Sequence, residues 1–302
     1  MIVLVVGAAG QLGRAITARF SSAHVVTPCT RADVDLTDHR ALRALVIARR
    51  PGAVINCASY NDVDGAEDDP RLALDVNALA VHTLARAAAE VDAVLVHYST
   101  DFVFAGTASA PYTEADAPEP QSVYAQSKLV GEWLAAECPR HYLVRVESLF
   151  GGPHARSSVD RIADAVREGR DAPVFTDRWV SPSFVDDVAD ATRHLVERAP
   201  AHGLYHCVNT GVATWLEVGR EIARRLGKGD AALRPVSVKD VRLRASRPQY
   251  AALSNAKLAA AGFEMPAWQD AIGRYLDRTE GRDRAEGRDR AEGRDFSPGR
   301  TR

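Results

Sequence analysis

The sequence predicts an α/β protein: a doubly wound parallel sheet with a smaller C-terminal α/β cap. Three observations predict it. Over roughly the first two hundred residues, short apolar runs alternate with amphipathic stretches, the rhythm of successive βαβ units. A glycine-rich turn, Gly7-Ala-Ala-Gly10-Gln-Leu-Gly13, follows the first apolar run. Past residue 200 the runs become short and irregular, as in a cap set on the carboxyl ends of parallel strands.

Taken in order, Ile2–Val6 is the first strand. No basic residue precedes it and it turns polar after Val6, so it fits a buried strand better than a secretory leader. Strands are then expected at His24–Pro28, Ala53–Asn56, Ala93–Tyr98, Tyr142–Glu147 and Val174–Phe175, with helices at about Gln11–Phe20, Asp38–Arg49, Pro70–Glu90, Ser122–Cys138, Ser157–Glu168 and Val185–Arg198. The third helix opens on a proline after an acidic run, a favoured helix start. The cap begins with a β-like run, Gly203–Val208, followed by a helix near Trp215–Leu226, a short run at Pro235–Val238 and helices around Asn255–Ala261 and Trp268–Arg278. Residues 1–150 are read as the nucleotide-binding domain, with a returning segment at about 172–198, and 151–280 as mainly a substrate-binding cap. Residues 281–302 repeat Gly-Arg-Asp-Arg-Ala-Glu and carry almost no apolar side chains, so they are expected to be a disordered charged tail.

Composition narrows the function. The 302 residues are 46% hydrophobic and 26% charged, which excludes a stapled mini-scaffold, a collagen and a wholly disordered chain. The net charge of −2 provides no overall field for a nucleic acid or an anionic membrane, and no apolar run approaches a membrane span. No nucleic-acid or membrane partner is therefore expected. Cys29, Cys57, Cys138 and Cys207 show neither metal-ligand nor disulfide spacing, which suggests free thiols and a cytoplasmic location.

The glycine turn lets the backbone approach a pyrophosphate at a helix N-terminus, so a dinucleotide is the expected ligand. Its G-x-x-G-x-x-G spacing resembles the extended short-chain dehydrogenase/reductases, which implies a Rossmann-type sheet. Where such folds often hold an acid for the ribose hydroxyl, this chain has Thr30-Arg31; Arg31 suits a 2′-phosphate, so NADPH is expected over NADH. In Tyr124-Ala-Gln-Ser-Lys128, four-residue spacing puts phenol and ammonium on one helix face, where the cation would lower the phenol's pKa and let Tyr124 exchange a proton with a carbonyl. Only four lysines occur in the chain, so the pattern is unlike a chance one. Ser99-Thr100-Asp101 closes the fourth strand, where the Thr100 hydroxyl can polarise the same carbonyl.

Further motifs narrow the resemblance. Val54-Ile-Asn-Cys-Ala58, Val63-Asp-Gly-Ala-Glu67, Val76-Asn77, His97-Tyr-Ser-Thr-Asp-Phe-Val-Phe104, Tyr124 to Glu132, Gly203-Leu-Tyr-His206, Thr214-Trp215 and the run from Arg247-Pro248 to Lys257-Leu258 together resemble the dTDP-4-dehydrorhamnose reductase family over about residues 1–278. The resemblance implies NAD(P)H-dependent reduction of a dTDP-sugar ketone, with Thr100, Tyr124 and Lys128 catalytic. It implies a cofactor site of Gly7, Gly10, Gln11, Leu12, Asp35, Leu36, Ala58, Tyr60 and Asn77 beside Arg31, Tyr124 and Lys128. Ser99, Asp101, Phe102 and Val103 are expected to face the sugar, and Arg247 the nucleotide phosphates. Such reductases can be dimeric and magnesium-dependent; a homodimer and Mg²⁺ are carried as expectations, with no metal site assignable.

The chain departs from the family in two places. Arg145-Val-Glu147-Ser-Leu149-Phe stands where the family has R-T-S-W-x-[FY], so Glu147 adds an acid and Ser148-Leu149 offers no aromatic wall. Asp177-Arg-Trp-Val-Ser-Pro182 has Val180 for a glycine, and Trp179 is the candidate replacement wall. Glu147 and Trp179 are thus expected at the substrate. Two alternatives stay open: another nucleotide-sugar ketoreductase or epimerase, and a non-catalytic NADP-binding subunit resembling the regulatory subunit of methionine adenosyltransferase.

Overall fold

A computed structural model describes residues 1–152, 157–241 and 243–279. The repeat at 281–302 lies outside the described residues. The chain runs β1 Ile2–Val6, α1 Gln11–Phe20, β2 Val25–Cys29, α2 His39–Arg49, β3 Ala53–Asn56, α3 Pro70–Leu74, a π-helical turn Asp75–Leu79, α4 Ala80–Glu90, β4 Val94–Thr100, α5 Val123–Ala135 and β5 His141–Val146. It continues through β6 Leu149–Phe150, α6 Ser158–Glu168, β7 Ala172–Phe175, β8 Trp179–Val180, β9 Ser183–Phe184, α7 Val185–Arg198, β10 Gly203–His206, β11 Ala213–Thr214, α8 Trp215–Arg225, β12 Leu233–Val236 and α9 Ala256–Ala260, then a helix over 268–279.

Six strands form one parallel sheet in the order β10-β5-β4-β3-β1-β2. Alternate side chains of β1 explain its double covering. Val3 and Val5 join a core with Ile16 and Phe20 of α1 and Leu195 of α7, while Leu4 and Val6 join Leu42 and Val46 of α2 and Leu84 of α4. The chain leaves β1 for the β2 edge and returns past it to β3. Their carboxyl ends therefore flank the point where strand order reverses, the place where open α/β sheets bind ligands.

Two elements differ from the sequence expectation. The run at Gly203–Val208, read as the start of the cap, pairs in parallel with β5 and forms one edge of the main sheet. Val174–Phe175, read with the main sheet, pairs with β12 instead, as Val174↔Pro235 and Phe175↔Val236. The reason is packing: α6 and α8 lie against one another and both cover β7, which draws that strand into the cap. The cap's helices start where predicted because of local chemistry. Ser157 with Asp160 and Thr214 with Glu217 form reciprocal capping boxes at the starts of α6 and α8.

Candidate active site

The turn after β1 is built for a dinucleotide. Gly7 has φ +77°, and a Cβ there would lie 2.7 Å from the Ala58 backbone nitrogen, just past β3. At Gly13 a Cβ would lie 2.2 Å from the Gly7 carbonyl oxygen, so only glycine lets α1 sit this close to the turn. No side chain caps α1 at Gly10. Its first-turn N–H groups, those of Gln11 and Leu12 included, thus point at the strand-reversal crevice with the favourable end of the helix dipole, as a pyrophosphate requires.

Within this cradle most of the expected cofactor residues hold protein partners as well. The Leu12 side chain is buried among the core residues packed on β1, so only its main chain can serve a cofactor. The Gln11 amide donates to the Gly151 carbonyl at 2.7 Å, tying α1 to the loop after β6. Asp35 accepts from the Thr37 backbone and hydroxyl, both at 2.9 Å, and closes its own turn, while Leu36 packs against the core under α2. Arg31 stands exposed just beyond β2.

Asn77 is buried in the π-helical turn and fully engaged. Its Oδ1 accepts from the Ser59 hydroxyl at 3.0 Å and the Tyr60 N–H at 2.9 Å, and its Nδ2 donates to the Tyr60 carbonyl and the Ser127 hydroxyl. It therefore joins the loop after β3 to α5 and has no donor or acceptor left for a cofactor. Gly131 of α5 permits the contact, since a Cβ there would lie 2.1 Å from the Asn77 carbonyl oxygen.

Thr100 closes β4, and Tyr124 and Lys128 stand in the first turns of α5, whose start is capped by Ser122 accepting from the Ala125 N–H. Lys128 is buried, with Nζ donating to the Tyr98 carbonyl at 2.6 Å; burial pushes its ammonium down to about 8. Tyr124 contradicts the expected lowering. Burial first, and the nearby Asp101 charge second, hold its phenol well above the ordinary value, while the Thr100 hydroxyl beside it works the other way. The ammonium is turned to the β4 carbonyl, and the phenol keeps its proton at neutral pH.

Beside them lies a buried acid pair. Asp101 and Glu147 are 3% and 1% exposed, and both face the Arg178 guanidinium. The Thr100 hydroxyl donates to Asp101 Oδ1 at 2.9 Å, and the Ser181 N–H donates to Glu147. Burial drives Asp101 up to about 7, and burial with the Asp101 charge drives Glu147 well above the carboxylate range. Asp101 Oδ2, Arg178 Nε, Ser99 Oγ and Ser181 Oγ are buried without hydrogen-bond partners. Unpaired buried polar atoms at a strand's carboxyl end suit a polar ligand. The Phe102 ring meets Tyr124 edge-on at 5.7 Å and carries the Arg178 guanidinium at 5.8 Å.

Val103 is corrected: it is fully buried with Phe104, Leu129 and Val208 and cannot face a sugar. Arg247 is paired within the protein. Its two terminal nitrogens donate to Asp64 at 3.0 and 2.8 Å, so its fork holds a protein carboxylate. Trp179 is exposed, its ring 6.4 Å from Tyr250. Residues missed by sequence reasoning are Arg178, Ser181 and Asp64. Arg178 directly precedes Trp179, but one arginine in a chain rich in them carries no signal. Arg178 also lines a cleft of about 500 Å³ with Arg161, Arg170, Trp215 and Arg247, between α6, β7 and the start of α8. A larger cleft of about 800 Å³, lined by His39, Arg43, His82 and Arg86, shares no residue with the Tyr124 cluster. Among the described residues no group of three or more His, Cys, Asp or Glu is placed to hold a metal, and no helix is long and apolar enough to cross a membrane.

Comparison with known proteins agrees with this geometry. A dTDP-4-dehydrorhamnose reductase of Streptomyces griseus is 36% identical over 280 residues, covering 89% of this chain and 91% of that one. A dTDP-4-keto-6-deoxy-D-glucose reductase of Streptomyces niveus is 32% identical, covering 86% and 91%. The crystal structure of a Bacillus anthracis dTDP-4-dehydrorhamnose reductase in complex with NADP superposes with a TM-score of 0.87 at 30% identity, covering 92% of this chain and 99% of that one. The RmlD substrate binding domain model matches residues 1–280. On these matches, and on a Rossmann-type sheet that brings the glycine turn, Thr100, Tyr124 and Lys128 to one edge, the chain belongs to the RmlD substrate binding domain family, that of the dTDP-4-dehydrorhamnose reductases.

Proposed function

We propose that the protein uses NADPH to reduce the 4-keto group of a dTDP-4-keto-6-deoxyhexose, taking dTDP-6-deoxy-L-lyxo-4-hexulose to dTDP-L-rhamnose. The observation that carries this reading is the meeting of Thr100, Tyr124 and Lys128 at the carboxyl end of β4, on the same sheet edge as the uncapped α1 N-terminus. The exposed Arg31 beyond β2 supports NADPH over NADH.

Bound NADPH supplies the hydride. Tyr124, protonated at neutral pH, gives its proton to the ketone oxygen as the carbonyl carbon is reduced. Thr100 hydrogen-bonds that oxygen and polarises the carbonyl. Lys128, one turn along α5, stabilises the phenolate left behind and holds the nicotinamide ribose. The cleft lined by Arg161, Arg170, Arg178 and Arg247 suits the diphosphate of the dTDP-sugar, with Arg247 also paired to Asp64 at its rim.

A second sugar is the runner-up reading. Glu147 adds a buried acid next to Asp101 and Leu149 is only partly buried, which would suit a more polar 4-keto-6-deoxyhexose than the rhamnose precursor. The test is to incubate purified protein with NADPH or NADH and each dTDP-4-keto-6-deoxyhexose, following nicotinamide absorbance and identifying the product by NMR. Oxidation of NADPH with a 4-hydroxy product supports the reading. No turnover with nucleotide still bound supports a non-catalytic binding subunit.

A further inference from the structure

We propose that Asp101 and Glu147 hold a single proton between them, and that Asp101 in its protonated form is the positioning residue that turns the Thr100 hydroxyl toward the substrate ketone. The inference rests on the reductase reading of this site and deepens it.

A hydroxyl has one proton to give. The Thr100 hydroxyl gives it to Asp101 Oδ1 at 2.9 Å while accepting from the Phe102 N–H at 3.2 Å. With Asp101 ionised, Thr100 has no proton left for a ketone. With a proton on Asp101 Oδ1 the bond reverses: Asp101 donates to Thr100 Oγ1, and Thr100 donates its own proton onward, toward the space beside Tyr124. Atoms and charges balance, because only hydrogen bonds are reoriented.

The surroundings favour that proton. Asp101 sits in the turn after β4 and Glu147 just past β5, and both are sealed from solvent. The groups that face them are Tyr124 from α5, Arg178 from the segment before β8 and Tyr250 from the cap, with Arg247 set against Arg178. Arg178 is thus the one cation acting on both acids among the described residues. Two buried carboxylates against one guanidinium leave an uncompensated negative charge, and retaining one proton removes it. Asp101 Oδ2 is buried without a partner, which a bare carboxylate oxygen tolerates poorly. Burial raises both acids, Asp101 to about 7 and Glu147 well above the ordinary carboxylate range, and the proton belongs to the pair. A ketone oxygen arriving beside Tyr124 selects the state with the proton on Asp101, since only then does Thr100 donate to it.

Two measurements test it. Infrared spectra of the purified protein at neutral pH should show the C=O stretch of a buried protonated carboxyl that Asp101→Asn and Glu147→Gln each remove or shift; this needs no turnover. In the pH profile of kcat, Glu147→Gln should move the alkaline limb down by about one pH unit or more, because Asp101 alone beside Arg178 loses its proton sooner. Its KM for NADPH should stay within about twofold of the parent. Asp101→Asn should lose this limb, since its amide N–H donates to Thr100 at every pH. Absence of the carboxyl band, or alkaline limbs that superimpose on the parent's, overturns the proposal. If the parent reduces no keto sugar, the reductase reading fails, and the infrared spectrum still decides whether the pair shares a proton. Should Asp101→Asn fail to fold, Glu147→Gln and the parent spectrum suffice.

Discussion

Lys128 donates its ammonium proton to the Tyr98 carbonyl oxygen at 2.6 Å, one strand residue before the Ser99-Thr100 pair that ends β4. A buried cation is thereby fixed at the sheet edge one helical turn from Tyr124. Its ammonium is pushed down from 10.5 to about 8 by burial, so between about pH 8 and 10.5 the unfolded chain binds the proton that the folded chain has lost. This group therefore contributes stability that rises with pH across that window. Lys128→Met is expected to lower kcat by about a hundredfold or more while raising the melting temperature at pH 7, because an apolar side chain of similar length replaces a buried charge. Calorimetry beside a turnover assay checks both, and a lower melting temperature contradicts the placement.

Gly7→Ala forces a side chain onto a φ of +77° and against the Ala58 backbone. The strain is expected to cost about 1–3 kcal/mol, and NADPH affinity is expected to fall by about tenfold or more. Chemical denaturation and nucleotide titration measure the two separately. Unchanged nucleotide affinity would remove this turn from the cofactor site.

Glu132, in the same helix as Tyr124, forms a two-toothed pair with Arg145 at 2.8 and 2.7 Å, and both side chains are buried. Glu132→Ala strands the guanidinium between α5 and β5, with an expected cost of about 3–5 kcal/mol. A shift of the urea midpoint by less than about 1 kcal/mol equivalent would show that the pair is solvated.

The Arg247 pair and a backbone N–H hold Asp64 down at about 2. Its contribution is present above the ordinary carboxylate value of 3.8 and is lost as the pH falls from there through about 2. Asp64→Asn should abolish that acid-window dependence while costing no more than about 1 kcal/mol at neutral pH, because the pair is partly exposed. Acid unfolding profiles of parent and variant check this.

Much of the fold was legible because buried parallel strands are continuous apolar runs, as in Ile2–Val6 and Ala93–Val96. The edge strand Gly203–His206 was not, since nothing local says whether a short run joins the main sheet or a cap; pairing with β5 decides it. At the site, spacing revealed Tyr124 and Lys128 because four residues on a helix are one turn. Leu12 and Val103 sit inside functional motifs yet serve the core, so motif membership overstated them. The partners of Asn77 were not legible, because a π-helical turn that no pattern announced aims its amide at Tyr60 and Ser127. Arg178 stayed hidden because its meaning lies in two acids some thirty to eighty residues away in sequence, brought to it only by folding.

The most direct measurement is the rate of NADPH oxidation with dTDP-6-deoxy-L-lyxo-4-hexulose, for the parent protein and for Tyr124→Phe. The expected result is steady turnover by the parent and a loss of about 10²–10⁴ in kcat for the variant, with NADPH binding retained. Parent-like oxidation by Tyr124→Phe, or none by the parent, would contradict a reductase whose proton comes from Tyr124.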